Sequence, residues 1–239
     1  MPAPRPPAQI WLRDAEKKPP TPRPLTRERI VAAAMAVADA EGLDAVSIRR
    51  IAGELNARPM SLYTHIGSKD DLLELMHDAA AEETLVGDVP ADWREALRLM
   101  ARANRAAALR HPWLLATRET GCPIGPASLK RMDEAAAAVR GLDTDSATRR
   151  ALVLAVDTYT FGQVAAELSG AIRRRTTEAA NAERREAATE YVRTQLDAGT
   201  LPHLADTGFT GLLDHDDPAE SFERGLEWLL AGAAASLER

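Results

Sequence analysis

Apolar residues recur at intervals of three and four along most of this chain, the spacing of one face of an α-helix. The first clear stripe is Ile30, Ala34, Val37 and Ala38, inside a helix expected over residues 27–41. Thr26 is placed to cap it, Leu25 and Ile30 have the spacing of a hydrophobic staple, and Gly42 stands at the usual stop. A second stripe, Ile48, Ile51, Ala52 and Leu55, follows the capping residue Ser47. Asn56-Ala57-Arg58 breaks it, and asparagine enters left-handed backbone at low cost. Pro59 suits the first turn of a further helix over 60–66, too short to persist unless packing holds it.

Ser68 then caps a helix expected to run to about residue 85, with Asp70 and Asp71 in the first turn where the helix dipole favours acids. Leu72, Met76, Ala79 and Glu83 share one of its faces. After a break at 87–90, Asp92 and Glu95 open a helix reaching about residue 110. Its Leu97, Met100, Ala101 and Asn104 form a mostly apolar face, and His111-Pro112 ends it. A short helical segment over 113–120, a loop over 121–126 and a helix over 127–140 closed by Gly141 come next. Residues 146–174 read as a long helix whose 152–156 run is apolar on every side, as a centrally buried element would be. Residues 173–190 are charged and alanine-rich, a mobile loop or a solvated helix. Tyr191, Leu196 and Leu201 suggest a helix stopping near Gly199, and 202–216 reads as loop. Asp217-Pro218-Ala219-Glu220 is a strong start for a last helix, with Phe222, Leu226, Leu229, Ala233 and Leu237 on one face. Small residues at 231–235 would let a second helix approach closely. No strand and no internal repeat can be read, so the expected class is all-α.

Composition narrows the picture. A chain of 239 residues has room for one or two domains with real cores, and 4% aromatics with abundant alanine favours helices. The single Cys122 excludes an internal disulfide. With no ~20-residue apolar run and no basic-then-apolar leader, the expectation is a cytoplasmic protein without a membrane partner. Residues 1–24 hold eight of the 15 prolines, which marks an extended arm. Its arginines and lysines could reach phosphates, or it could be a solvated tail. The net charge of −6 is unevenly spread. Residues 1–69 carry 11 Lys and Arg against 7 Asp and Glu, whereas the remainder carries 19 against 29. A basic head on an acidic body is the asymmetry of a DNA reader whose other part avoids DNA.

The paired short helices around Asn56 form a helix-turn-helix pattern, the second helix of which enters the DNA major groove. With the preceding helix and the Ser68-Lys69-Asp70-Asp71-Leu72 run, residues 25–73 resemble the TetR family of transcriptional regulators. The resemblance is carried by Gly42, Ser47, Ile51-Ala52 and Ser61-Leu62-Tyr63-Thr64-His65. Asn56 departs from the glycine common at that turn. Less closely, residues 153–166, with Asp157-Thr158-Tyr159, look like the ligand-binding and dimerisation domain of the tetracycline-repressor branch.

The resemblance implies an N-terminal three-helix helix-turn-helix DNA-binding domain at 25–70, after the arm at 1–24. A larger helical ligand-binding and dimerisation domain is implied at 71–239. It further implies a homodimer on a palindromic operator, released by a small-molecule effector. By matching positions, Met60, Ser61 and Thr64 would meet base edges, Tyr63 and His65 phosphates, Lys69 the groove edge, Arg49 a guanine and Ser47 a phosphate. Tyr63 could instead pack beneath the helix, and His65 could bond to backbone. Candidate effector contacts are Met76, Met100, Asn104, Trp113, Arg118, Thr158, Tyr159 and Phe161, each with an alternative role in the core. The long helix near 146–172 and the last near 218–237 would form a four-helix interface between copies.

Two other function classes compete. An enzyme would need chemistry that is missing: there is no Gly-rich phosphate loop, no HExxH, no nucleophile elbow, and Cys122 has no histidine nearby in sequence. His111, His203 and His215 with Asp216 and Asp217 fit no dense metal-ligand spacing, so neither metal nor cofactor is expected. A helical adaptor that ignores DNA is disfavoured by the charge split.

Overall fold

The computed structural model describes residues 24–117, 124–177, 182–206 and 217–237. Most of the N-terminal arm, Arg118, Cys122, His215 and Asp216 lie outside the described residues. The described residues form helices α1 (Arg27–Glu41), α2 (Ile48–Glu54), α3 (Pro59–Leu62), α4 (Lys69–Glu82), α5 (Trp93–Arg110) and α6 (Trp113–Thr117). These are followed by α7 (Pro126–Val139), α8 (Ser146–Thr177), α9 (Ala182–Asp197), α10 (Pro202–Asp206) and α11 (Pro218–Leu237). The class is all-α.

The caps read from the sequence act as expected. Thr26, Ser47, Ser68 and Asp92 each accept a backbone N–H of the first turn of their helix. Asp217 Oδ1 accepts from Ala219 N at 2.9 Å at the head of α11. Asn56 is the one described non-glycine residue with positive φ, 49°, and lets the chain turn between α2 and α3.

Two hydrophobic cores result. One joins α1, α2, α3 and α4 through Ile30, Ala34, Ile51, Leu62, Ile66, Leu72 and Met76. The other joins α5, α7, α8 and α11 through Leu97, Val139, Leu152, Val156, Phe222, Leu226 and Leu230. α4 packs on α1 and also on α7, so it belongs to both halves. α11 sits close on α8 because Gly225 has no side chain: a Cβ there would lie 2.2 Å from the Tyr159 hydroxyl.

Three expectations are corrected, and one left open is decided. The second helix of the motif is α3 alone, and residues 63–65 continue as turn, with Ile66 N bonded to Leu62 O at 3.0 Å. Buried Leu62 and Ile66 hold this segment where helix propensity could not. Residues 202–206, read as loop, are the short α10. Of the two readings of 173–190, loop or helix, the described residues 173–177 and 182–190 take the helix. The 152–156 run is not centrally buried in the single chain: Leu152 and Val156 enter the core, while Leu154 is 61% exposed. One face of α8 is left for something else to cover.

Candidate DNA interface and effector cleft

Buried Leu62, clamped against Ile51 and Ala52, turns the other face of α3 to solvent. On that face Met60 is 74% exposed, Tyr63 is 46% exposed, and Thr64 is exposed. Ser61 and His65 are half-buried beside them, and Arg49 and Lys69 are exposed. An exposed methionine at the start of the helix suits a thymine methyl, and hydroxyls beside it suit base edges or phosphates. Thr64 Oγ1 donates back to Ser61 O at 2.7 Å, which fixes its rotamer. Arg27 Nε donates to His65 O at 3.2 Å and pins the exit of the turn to α1. Ser47 Oγ accepts from Arg50 N at 3.2 Å and remains exposed. The neighbouring arginines differ. Arg50 is held by Glu41 and Glu54, whose carboxylates push its guanidinium still higher, whereas Arg49 stands outward.

The exit from the motif is tightly built. Asp71 accepts from Ser68 Oγ at 2.7 Å and from Gly67 N at 3.0 Å, while Ser68 Oγ accepts from Asp71 N at 3.0 Å. A side chain at position 67 would strike Asp71 Oδ2 at 2.5 Å. The start of α4 is thereby fixed to the recognition segment.

At the far end of α4 a polar cluster ties the head to the body. His111, at the C-terminal end of α5 and 3% exposed, places Nδ1 2.8 Å from Asp39 of α1 and Nε2 3.2 Å from Glu83. Its two ring nitrogens thus each face a carboxylate, one from α1 and one at the end of α4. Trp113 Nε1 donates to the same Asp39 oxygen at 2.7 Å, and Arg110 pairs with Glu83. His77 of α4 meets Trp113 edge-on at 5.4 Å. Burial holds the His77 imidazole below the ordinary histidine range.

The body has an interior chamber of about 30 Å³ between α5, α7 and α8, lined by Leu97, Met100, Asn104, Arg131, Glu134 and Asp157 among others. Asn104 Nδ2 donates to Asp157 Oδ1 at 3.3 Å, and Arg131 stands 3.7 Å from that oxygen. Glu134, 6% exposed, accepts from Val86 N at 2.9 Å and Gly87 N at 3.1 Å, holding the link after α4 against α7. A wider groove of about 860 Å³ lies outside the chamber between α7 and α8.

Residues 30–76 match the family described as bacterial regulatory proteins, tetR family, and residues 86–237 match the tetracyclin repressor-like C-terminal domain. The chain belongs to the tetR family. It is therefore a transcriptional regulator. An HTH-type transcriptional regulator of Saccharopolyspora erythraea is 33% identical over 231 residues, spanning 96% of this chain and 93% of that one. The HTH-type transcriptional repressor DrrR1 of Streptomyces coeruleorubidus is 34% identical over 190 residues, or 77% of this chain and 69% of its own. The solved structure of the TetR family protein ActR of Streptomyces coelicolor in complex with actinorhodin superposes with a TM-score of 0.71 and 29% identity. That likeness covers 91% of this chain and all of ActR.

Within this tetR-family frame six of the eight expected DNA contacts, Ser47, Arg49, Met60, Tyr63, Thr64 and Lys69, are exposed, and Ser61 and His65 are half-buried. The eight expected effector contacts are dispersed. Met100 and Asn104 line the chamber. Met76 is fully buried in the head core, and Trp113 is bonded to Asp39 at the junction. Tyr159 stacks on Phe222 and donates to Phe222 O at 2.8 Å, which ties α8 to α11. Thr158 is exposed, Phe161 is half-buried, and Arg118 lies outside the described residues. Sequence reading did not single out Asp39, Arg131 or Glu134, and it gave Glu83 and Asp157 no partner. Their partners are far away in sequence, and an isolated acid on a helix looks like a solvated one. Among the described residues no group of His, Cys, Asp and Glu could hold a metal ion, and no helix is long and apolar enough to cross a membrane.

Proposed function

We propose that this regulator is a repressor that acts in the cytoplasm as a homodimer on a palindromic DNA operator, without catalysis, and leaves it when a small molecule binds the body. In this reading residues 25–70 read DNA, with an arm before them, and 71–239 sense and dimerise. Ser47, Arg49, Met60, Ser61, Tyr63, Thr64, His65 and Lys69 make the DNA contacts, and Met100 and Asn104 stand at the effector site. The observation that supports it most is the outward face of α3, fixed by its buried side to a helix that packs on the body. One such face reads few base pairs, whereas two related by a two-fold axis read a palindrome. The surfaces left for a second copy are the exposed Leu154, Ala155 and Thr158 on α8, with Trp228, Ala231 and Gly232 on α11.

An effector acts by preferring the body conformation that sets the two heads at the wrong spacing. α4 carries that displacement, because Ser68 and Asp71 fix one end and Asp39, Glu83 and His111 the other. The test is selection of duplexes from a random pool, followed by competition at rising salt. A palindrome should emerge, with affinity falling steeply as salt rises. Tyr63→Ala and Lys69→Ala should each weaken binding roughly tenfold, about 1–2 kcal/mol, with circular dichroism unchanged. Undiminished binding in both variants would remove α3 and its exit as the DNA-reading face.

A further inference from the structure

We propose that the α7–α8 groove is the socket for Trp228 of a second copy, whose indole closes the effector chamber from outside. This rests on the homodimer and effector readings above and adds the residue that each copy lends the other.

Trp228 and Leu154 stand at one height in the body. α5 ends at His111 against Asp39 of the head, so its axis points from body to head. α11 lies along α5 in the opposite sense, since Arg98 meets Glu227 and Arg102 meets Glu223. It also runs against α8. Tyr159 stacks on Phe222, while Ala234 lines one small cleft with Leu142, whose carbonyl holds Arg149. Trp228 falls midway between Phe222 and Ala234, as Leu154 does between Tyr159 and Arg149. On α7, Arg131 stands by Asp157 and Leu142 follows the end of the helix beside Arg149, which sets Met132, Ala135 and Ala136 at that same height.

Two heads that read one duplex lie at the same end of the dimer, so the two-fold axis follows the head-to-body direction. Rotation about it leaves every height unchanged, and the partner's Trp228 arrives level with Leu154. At 71% exposed, Trp228 is the barest aromatic side chain among the described residues. It shares an outward stripe with Ala231, Gly232 and Ala235, so it is a single large knob on a face of small residues. A knob needs a hole. The groove, about 860 Å³, has Met132, Ala135 and Ala136 on one wall and Leu154 on the other, and the two alanines leave room for a ring. Met132 and Leu154 are 55% and 61% exposed in the single chain. Leu154 belongs both to this groove and to the α8 face given above to the second copy, so the groove continues that interface.

The groove adjoins the chamber, because Arg131, Ala135 and Val153 line both. An indole seated there covers the outer wall of the space that Met100 and Asn104 line, and each effector site is complete only in the dimer.

Sedimentation equilibrium of the full chain measures the dimer. Trp228→Ala should weaken it roughly hundredfold and Met132→Ala about tenfold, with circular dichroism unchanged. The double variant should be no weaker than Trp228→Ala alone, because each change empties the same contact. Losses that simply multiply, or a Met132→Ala dimer as tight as the native one, would overturn the socket while the dimer reading stands. A chain that is monomeric at every concentration overturns the dimer reading and the socket with it. A second arm reads the seal. In a chain carrying Cys122→Ser and Ala135→Cys, Ellman's reagent should label the new thiol about tenfold faster once Trp228→Ala is added, at a concentration where both forms are dimers. Equal rates would show that the partner's indole does not cover the chamber, and the proposal fails.

Discussion

The head and the body of this protein are packed in opposite ways. In the head, Ile30, Ala34, Val46, Ile51, Leu62, Leu72 and Met76 are fully buried, and hydrophobic contact alone closes the core. In the body, Asn104, Glu134 and Thr160 are buried among apolar residues, the buried Nε of Arg105 has no hydrogen-bond partner, and a chamber opens into a groove. A surface that reads a duplex of fixed geometry gains from rigidity, because every rotamer ordered in advance is entropy not lost on binding. A sensor needs two arrangements of similar free energy, and a polar interior held by a few exchangeable bonds supplies them. The cluster of Asp39, Glu83 and His111 is where the rigid half meets the adjustable one.

The largest expected effect tests the rigid half. Leu62→Ala should cost about 3 kcal/mol, because it removes the side chain that seats α3 and leaves a cavity. Urea denaturation measures the loss, and duplex binding should vanish with it. A cost below about 1 kcal/mol would mean that the head tolerates a void, and the contrast with the body would fail.

Asp39→Ala comes next and strikes the join. It strips the acceptor from both His111 Nδ1 and Trp113 Nε1, at a cost of about 2 kcal/mol. Head and body should then melt in two transitions instead of one, visible by calorimetry; a single unshifted transition would show that apolar packing of α4 couples them by itself.

A smaller effect follows pH. Burial lowers the His77 pKa below its unfolded value, so the folded state disfavours the proton. Stability from this group is present above the ordinary histidine pKa and is lost as pH falls through the folded value. Melting temperature should therefore drop more steeply between about pH 7.5 and pH 5.5 in the native chain than in His77→Gln. Identical slopes would place the pH response elsewhere.

The smallest effect belongs to the surface ladder between α5 and α11, where Arg98 and Arg102 each grip a glutamate, Glu227 and Glu223, through two hydrogen bonds. Arg98→Ala should cost less than about 1 kcal/mol, since solvent screens the pair. A larger loss would show that α11 is held by ion pairs more than by Phe222, Leu226 and Leu230.

The sequence by itself determined the all-α class, the caps at Thr26, Ser47, Ser68, Asp92 and Asp217, and the turn at Asn56. These are local matters. A cap acts within one turn, and a left-handed residue acts on its own backbone. Tertiary structure decided the remainder. That Leu154 faces outward while Leu152 and Val156 face the core depends on α5, α7 and α11 arriving on one side of α8. That Met76 serves the head core, Tyr159 the packing of α11 and Trp113 the junction depends on contacts tens of residues distant. The partnership of His111 with Asp39 and Glu83, and of Arg131 with Asp157, is of the same kind. Helical periodicity shows that a residue has a buried side but not which neighbour buries it, and the choice among neighbours is made only when the helices pack.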